Sequence, residues 1–163
     1  MGGNIMLEEF LKNFKSVVLS TIDEDNLPFT SYAPFIKNEN KYYVYISAMA
    51  RHTRNLDANN NVALFFIEDE ISCENIFGRK RVVLQSTSVK LPRDTKEFDN
   101  LISIFEKEQG STMKMLKSMK DFSIYEFTPK SGEAIFGFGE AYDIGGENCE
   151  ELLERKGQTG HKK

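Results

Sequence analysis

Two histidines give the chain its clearest metal-ligand chemistry. His52 lies in the basic run 51–54, at the predicted entry to a short helix, where backbone amides favour anions. There it can titrate near neutral pH and contact a ligand carboxylate, or it can be a partly buried side chain that caps the helix. His161 lies in a terminal segment rich in glycine and lysine, where a histidine usually has no role. If that segment folds over a bound cofactor, the imidazole can ligate a metal, and Lys162 and Lys163 can neutralise acidic groups.

Arg79, Lys80 and Arg81 form a basic run directly after Gly78 and before an apolar strand. The planar guanidinium of arginine matches the geometry of a carboxylate or a phosphate. Because strand residues alternate between faces, we expect Arg79 and Arg81 on one side and Lys80 on the other. The run therefore predicts an anion site, with a solvated charge run as the simpler alternative.

An acid and two glycines complete the candidate residues. Asp121 lies between Lys120 and Phe122, at the predicted entry to a strand. Such an acid is usually a helix-end or turn residue, but beside a ligating imidazole it would accept the second ring N–H and raise the basicity of that ligand. Gly137 and Gly139 occupy alternate positions of a predicted final strand. They indicate a bulge, a tight barrel corner, or the close approach of another backbone or a flat ligand.

The composition excludes several classes of protein. A chain of 163 residues, 40% hydrophobic and 28% charged, predicts one globular domain. Cys73 and Cys149 are too few for a disulfide framework and lack a CxxC spacing, so a reducing, cytoplasmic location is expected. The net charge of −4 gives no indication of a nucleic-acid partner. The longest apolar run, Val62–Ile67, is far shorter than the roughly 20 residues of a membrane span, and no leader pattern is visible, so no membrane partner is expected. No GxSxG, P-loop or HExxH pattern supports hydrolytic chemistry.

The elements that must position these residues follow the order helix, mostly strands, one long helix, strands. Apolar spacing predicts helices over 7–14, 51–60, 94–109 and 113–119. Strand composition predicts strands over 16–22, 28–36, 42–47, 62–67, 82–91, 122–127 and 133–144. This order favours an α+β fold built on an antiparallel barrel or a strongly curved sheet.

Five motifs occur in order along the chain. They are Ser31-Tyr32-Ala33-Pro34-Phe35; Ile46-Ser47 with Ala50-Arg51-His52 and Arg54-Asn55-Leu56; Phe77-Gly78-Arg79-Lys80-Arg81; Gly137-Phe138-Gly139 with Ala141-Tyr142; and Gly160-His161. In these motifs the chain resembles the HugZ/HutZ family, the heme-degrading branch of the flavin-binding split-barrel proteins. The resemblance spans nearly the whole chain, and its length suggests the short, HutZ-like form.

The resemblance implies an antiparallel six-stranded split β-barrel with flanking helices over residues 1–145, followed by a C-terminal helix or tail over residues 146–163. It also implies a homodimer that binds heme at the subunit interface, where the wider superfamily binds flavin. His161 matches the histidine that ligates the heme iron. Asp121 matches an aspartate of the neighbouring subunit that hydrogen-bonds this histidine, so these two are the expected catalytic residues.

Other matched residues are expected to bind the cofactor. Arg81 matches a residue at the heme pocket, with Arg79 and Lys80 beside it. His52 matches a histidine of the family motif. Gly137 and Gly139 would let a flat macrocycle lie near the backbone.

The implied activity is oxidative cleavage of the porphyrin with dioxygen and electrons, which releases iron and a biliverdin-like product for iron acquisition. One imidazole ligand leaves the opposite axial position for dioxygen, and heme is both cofactor and substrate. Two alternatives are a flavin-dependent oxidoreductase, in which residues 79–81 and 51–54 would hold the flavin phosphate, and a non-enzymatic heme storage or delivery protein. His161 with Asp121 favours heme, since a flavin has no use for a terminal imidazole.

Overall fold

The strands predicted from alternating polarity fold into a single antiparallel sheet that closes on itself. The structure, a computed structural model, describes residues 2–155, with side chains from residue 5 onward. Within that range the strands are β1 (Ser16–Ile22), β2 (Pro28–Asn38), β3 (Lys41–Ser47), β4 (Asn61–Ile67), β5 (Arg81–Lys90), β6 (Phe122–Ile135), β7 (Ala141–Gly145) and β8 (Glu151–Glu154).

The strand order is β3-β2-β1-β4-β5-β6-β7-β8, and β3 also pairs with β6. This extra pairing closes the first six strands into a barrel and leaves β7 and β8 as an extension of the sheet. The prediction of an α+β fold with a six-stranded antiparallel split barrel is confirmed.

Four α-helices accompany the sheet in the described part of the chain: α1 (Gly2–Leu11), α2 (Arg51–Ala58), α3 (Lys96–Gln109) and α4 (Thr112–Leu116). Thr95 caps α3, because its hydroxyl accepts a hydrogen bond from the backbone N–H of Phe98 at 3.1 Å. None of the helices in this range is both long and apolar enough to span a bilayer.

The main core fills the barrel. Leu19, Leu64 and Leu84 are opposite one another on β1, β4 and β5 and are at most 1% exposed. Because strand side chains alternate between faces, the residues on either side of these leucines point out of the barrel. Helix α1 adds Leu7 and Phe10 to this core.

A second apolar cluster lies on the outside of the barrel. There α3 packs its stripe of Phe98, Leu101, Ile102 and Phe105 against Ile36, Tyr43, Tyr45 and Ile124 of the sheet. This covers the outer surface of β3 and the adjoining parts of β2 and β6.

The outer surface from β2 to β6 carries a row of apolar side chains that are only half-buried or exposed in the described chain. The open face, as it is called below, consists of Val18, Tyr32, Phe65, Val83 and Ile135. Val18 is opposite Tyr32 on one side and Phe65 on the other, and Phe65 is opposite Val83. Tyr32 is 67% exposed. An apolar sheet surface of this kind indicates an interaction site.

The predicted final strand over residues 133–144 is wrong. Strand β6 continues through Pro129 to Ile135, the chain turns over residues 136–140, and β7 then returns antiparallel to β6. Pro129 is accommodated because the β5–β6 register shifts between Gln85 and Ser86 at this point, and a bulge tolerates the missing N–H.

The end of the described chain also differs from the expectation. A helix or tail is predicted over residues 146–163, but residues 151–154 form β8, which pairs with β7 from Gly145 opposite Glu151 to Tyr142 opposite Glu154. The prediction is therefore wrong up to residue 155. The remainder of the segment, with His161, lies outside the described residues.

Candidate functional site

Two predicted site residues, His52 and Asp121, lie at the end of the barrel that α2 covers, and each is within hydrogen-bond distance of a serine. The α2 group consists of Ser31, Ser47, His52 and Asp121. Ser31 Oγ lies 2.8 Å from His52 Nδ1, which joins two of the sequence motifs. Burial lowers the pKa of His52 from its ordinary value, so the imidazole is neutral at neutral pH. Its Nε2 has no hydrogen-bond partner within residues 2–155, so this nitrogen is available to a ligand.

Hydrogen bonds that sequence reasoning missed fix α2 on the barrel. Thr53 Oγ1 donates to a carbonyl of β3 at 2.6 Å, and Asn55 Nδ2 donates to Thr21 Oγ1 at 3.0 Å. Tyr125 OH donates to Asp57 Oδ1 at 2.6 Å. In the sequence, the only sign of these hydrogen bonds is that polar residues lie next to the buried apolar residue of α2. This pattern does not show which residues they bond to.

Asp121 lies at the corner where β3 leads into α2, directly before β6. Its Oδ2 accepts a hydrogen bond from Ser47 Oγ at 3.1 Å, and its backbone carbonyl accepts from the N–H of Ala48 at 2.7 Å. Among the described residues, Oδ1 has no partner. The exposed carboxylate is therefore oriented by Ser47 while one oxygen remains able to accept an imidazole N–H.

The basic run lies at the start of β5 and forms the arginine group, Arg79, Lys80 and Arg81. Arg79 turns back onto the chain, where its Nε donates to the carbonyl of Glu68 at 3.0 Å and its Nη1 is 3.4 Å from Glu70 Oε1. Arg81 is half-buried and donates through Nη1 to the carbonyl of Arg79 at 2.8 Å. Neither Arg81 nor the exposed Lys80 has a side-chain carboxylate partner within residues 2–155, so both can bind an anion.

The two predicted glycines lie beside this group, but in a turn and not on a bare strand face. Gly137 and Gly139 have φ values of 149° and 81°, which favour glycine, and the turn closes with the N–H of Glu140 donating to the carbonyl of Gly137 at 3.1 Å. A side chain at Gly78 would place its Cβ 3.1 Å from the backbone nitrogen of Phe138. The close backbone approach is thus between this turn and the start of the arginine group, and Gly78 is the glycine that sequence reasoning missed.

The two groups lie at opposite ends of the barrel. Ser31 is level with Leu84 through the ladder across β2, β1, β4 and β5. Arg81 lies three residues farther along β5, roughly 10 Å at the usual rise of a strand, and three strands away around the barrel. A single chain therefore does not bring His52 and Arg81 into one pocket.

The described residues can be compared with what heme requires. No three His, Cys, Asp or Glu side chains within residues 2–155 are grouped to hold a metal ion, and heme needs no such group, since its macrocycle supplies four nitrogens. A half-buried guanidinium at Arg81 matches a propionate, and the apolar open face matches the macrocycle. The residues present therefore fit heme, and the predicted iron ligand, His161, lies outside the described range.

Comparison with known proteins identifies the relatives of this chain. Residues 6–136 match the family model described as pyridoxamine 5'-phosphate oxidase. The chain is 32% identical over 157 residues to heme oxygenase HutZ of Vibrio cholerae, an alignment that covers 96% of this chain and 88% of that protein.

Two solved structures agree with this result. Campylobacter jejuni ChuZ has a TM-score of 0.84 and 33% identity, over 93% of this chain and 61% of ChuZ, so the chain spans about three fifths of that protein. HutZ from Vibrio cholerae, described there as a heme storage protein, has a TM-score of 0.75 and 32% identity, over 82% of this chain and 93% of HutZ. The resemblance to HugZ/HutZ proteins is confirmed: the chain belongs to the pyridoxamine 5'-phosphate oxidase family and, within it, to the HutZ-like group.

Proposed function

We propose that the protein is a heme-degrading enzyme, which cleaves the porphyrin with dioxygen and electrons and releases iron and a biliverdin-like product. The observation that carries this proposal is the 32% identity to heme oxygenase HutZ across 96% of the chain. Heme is then both cofactor and substrate and supplies the iron at which dioxygen is activated.

The proposed binding site lies between two copies of the chain. The open face gives each copy an apolar surface, and the α2 group and the arginine group lie at its two ends. If two copies pack through this face about a two-fold axis that crosses the strands, the α2 group of one subunit lies beside the arginine group of its partner. Two equivalent sites result, and each is incomplete in a single chain.

Each proposed site residue has a role that follows from its surroundings. Arg81 binds a propionate, since it is half-buried and has no carboxylate partner within the described chain; Arg79 holds the backbone around it, and Lys80 adds positive charge. His161 is the proposed iron ligand. Asp121 of the neighbouring subunit accepts its second N–H while Ser47 fixes the carboxylate from the other side.

The remaining residues shape the pocket. His52 presents a neutral Nε2, because its Nδ1 is occupied by Ser31 and burial lowers its pKa. Gly137 and Gly139 allow the positive φ values of the turn next to Arg81, so a flat ligand there would lie near the backbone. A moderate hydrogen bond donated by the ligating imidazole to Asp121 would favour ring hydroxylation, whereas a fully anionic imidazolate would favour oxygen–oxygen scission.

A second candidate, heme storage without degradation, is favoured by the description of a HutZ structure as a heme storage protein. A flavin-dependent oxidoreductase is the third reading, since the family description names an oxidase of pyridoxamine phosphate. In that case the basic residues 79–81 and 51–54 would bind the flavin phosphate.

The test is a heme titration followed by reduction in air. Wild type, His161→Ala and the matched variant His52→Asn are titrated with hemin and followed by absorption, then ascorbate is added and the Soret band and free iron are measured. We expect wild type and His52→Asn to show an imidazole-ligated spectrum, and wild type to lose the Soret band with release of iron. His161→Ala loses both properties.

The other outcomes identify the alternatives. A Soret band that persists in wild type under ascorbate and air indicates a carrier. A chain that binds no hemin but shifts the spectrum of flavin mononucleotide indicates the oxidoreductase. Normal degradation by His161→Ala would refute the ligand assignment.

A further inference from the structure

An unusual surface segment connects β4 to β5. The acidic arm, residues 68–78, contains two single-turn 3₁₀ helices and four carboxylates, Glu68, Asp69, Glu70 and Glu74. Three apolar side chains of the same segment face solvent: Ile71 is 100% exposed, Phe77 is 82% exposed and Ile76 is 57% exposed. A cluster of exposed apolar side chains is typical of a surface that binds a partner.

The arm is held in place at its base. The guanidinium of Arg79 bonds the carbonyl of Glu68, the N–H of Glu68 donates to the carbonyl of Lys80 at 2.9 Å, and the N–H of Lys80 donates to the Glu68 carboxylate at 3.0 Å. Near the tip, Asn75 Oδ1 accepts from the N–H of Phe77 at 2.9 Å. These hydrogen bonds fix the position of the backbone at the exposed Phe77. A group that is already ordered loses less conformational entropy on docking, which favours binding.

A surface of opposite charge surrounds the start of α2. Arg51 and Arg54 are exposed, and neither has a carboxylate partner within residues 2–155; Arg51 stacks over Phe29 at 5.2 Å. Met49, two residues before Arg51, is 82% exposed. This surface therefore offers an apolar residue beside cations, whereas the arm offers apolar residues beside anions.

We infer that the acidic arm of each subunit docks on the α2 surface of the other subunit. The arm leaves the barrel at Ile67 and returns at Arg81, at the end opposite α2, so the two surfaces do not meet within one chain. The same two-fold axis that unites the α2 group and the arginine group brings them together. Glu74 then faces the partner subunit's Arg54, and Phe77 packs near the partner subunit's Met49.

This inference rests on the proposed homodimer and adds a function for the arm within it. Arg79 and Arg81 follow the arm directly, and Met49 and His52 lie on either side of the α2 start. Docking of the arm therefore fixes the distance between the arginine group of one subunit and the α2 group of the other. The arm acts as a clamp that completes the ligand site.

A charge-swap experiment tests the contact. Glu74→Arg and Arg54→Glu each place like charges together, and each is expected to weaken dimerisation about tenfold at low salt, measured by sedimentation velocity over a dilution series. The double variant Glu74→Arg/Arg54→Glu restores the pair and is expected to return the dimer dissociation constant to within about threefold of wild type. Glu108→Arg, an equal change of charge on exposed α3, is the matched control and leaves dimerisation unchanged.

Several outcomes would overturn the inference. If both single variants dimerise as wild type does, or the double variant is as weak as the two effects combined, the arm does not meet α2. In that case wild type still dimerises and binds hemin, and the proposed function stands. If wild type is a monomer at every concentration, the homodimer and the docking fail together. All four positions changed here are exposed, so unchanged circular dichroism and thermal unfolding will show that folding is intact; Phe77→Ser provides a second variant, expected to weaken the dimer without a change of charge.

Discussion

The contact between Asn55 and Thr21 holds α2 on the barrel, and Asn55→Ala tests its strength. Asn55 is 6% exposed and Thr21 is 1% exposed. Asn55 Nδ2 donates to Thr21 Oγ1 at 3.0 Å. Without the amide, Thr21 Oγ1 retains only the carbonyl of Phe29 at 3.5 Å, at the limit of hydrogen-bond distance. A buried hydrogen bond contributes about 1 kcal/mol, and a polar group left without its partner costs about 1–3 kcal/mol.

The expected loss in Asn55→Ala is therefore about 1–3 kcal/mol in the free energy of unfolding. For a chain of this length each kcal/mol lowers Tm by roughly 2–4 °C, so the shift is roughly 2–12 °C. Urea unfolding at pH 7 measures the free energy directly. Asn60→Ala, an exposed amide two residues beyond α2, is the control and is expected to remain within about 0.5 kcal/mol of wild type.

A double-mutant cycle isolates the pair. Thr21→Val removes the hydroxyl at nearly constant volume and leaves the Asn55 amide without its acceptor. In Thr21→Val/Asn55→Ala both partners are absent, so neither is left unsatisfied, and the combined loss should be smaller than the sum of the single losses by about 1 kcal/mol. Additive losses, or an Asn55→Ala variant as stable as the Asn60→Ala control, would refute the view that this bond fixes α2.

Three further predictions follow from single residues. Asp121→Asn and Asp121→Glu should both change the rate of hemin loss under ascorbate, and unchanged rates in both variants would exclude a tuning role for this carboxylate. Burial lowers the pKa of His52, so on acidification the unfolded chain binds a proton before the folded chain does. This component of the free energy of unfolding is therefore lost as pH falls below about 6.5. In His52→Asn, the loss of stability between pH 7 and pH 5.5, measured by urea unfolding, should be smaller than in wild type. A Cβ at Gly132 would lie 2.4 Å from the backbone oxygen of Val83. Gly132→Ala should therefore lower the free energy of unfolding, measured in urea, by about 1–3 kcal/mol, whereas the control Ser131→Ala, at an exposed neighbour, should leave it unchanged. Equal stabilities of the two variants would show that β5 and β6 can move apart without cost.

The barrel strands could be predicted because their local pattern and their tertiary environment agree. In Ser16–Ile22 and Asn61–Ile67, every second residue is buried, and these residues face the core. Alternation of this kind is a local property of the sequence. Closure of the barrel by β3 and β6 joins residues about 80 positions apart, from Tyr42 opposite Phe127 to Ser47 opposite Phe122, and no local pattern indicates it; the resemblance to a known family did.

The region after Phe127 could not be predicted from pattern, for a physical reason. Alternating bulky and small residues over 133–144 match a strand, but the positive φ at Gly137 and Gly139 allows a turn at the same positions. Glycine is compatible with both a strand and a turn, so tertiary contacts determine which of the two forms. Here the approach of Gly78 to the turn fixes the outcome.

The hydrogen-bond partners within the candidate site could not be predicted from the sequence. His52 and Asp121 are predicted by residue type and by the resemblance, but their partners Ser31 and Ser47 are visible only in the folded chain. The resemblance placed Arg81 and Asp121 at one heme. Their separation at opposite ends of one barrel means that such a site requires a second subunit.

A ligand site shared between two subunits couples ligand binding to dimerisation. If a ligand contacts the arginine group of one subunit and the α2 group of another, it binds the dimer and not the monomer, and by linkage it must stabilise the dimer by the same free energy that dimerisation contributes to its affinity. Apparent hemin affinity then falls as the protein is diluted below its dimer dissociation constant. A site complete within one chain has no such dependence, whatever residues ligate the iron. Concentration dependence of affinity therefore distinguishes a shared site from a local one even before the ligand-binding residues are replaced one by one.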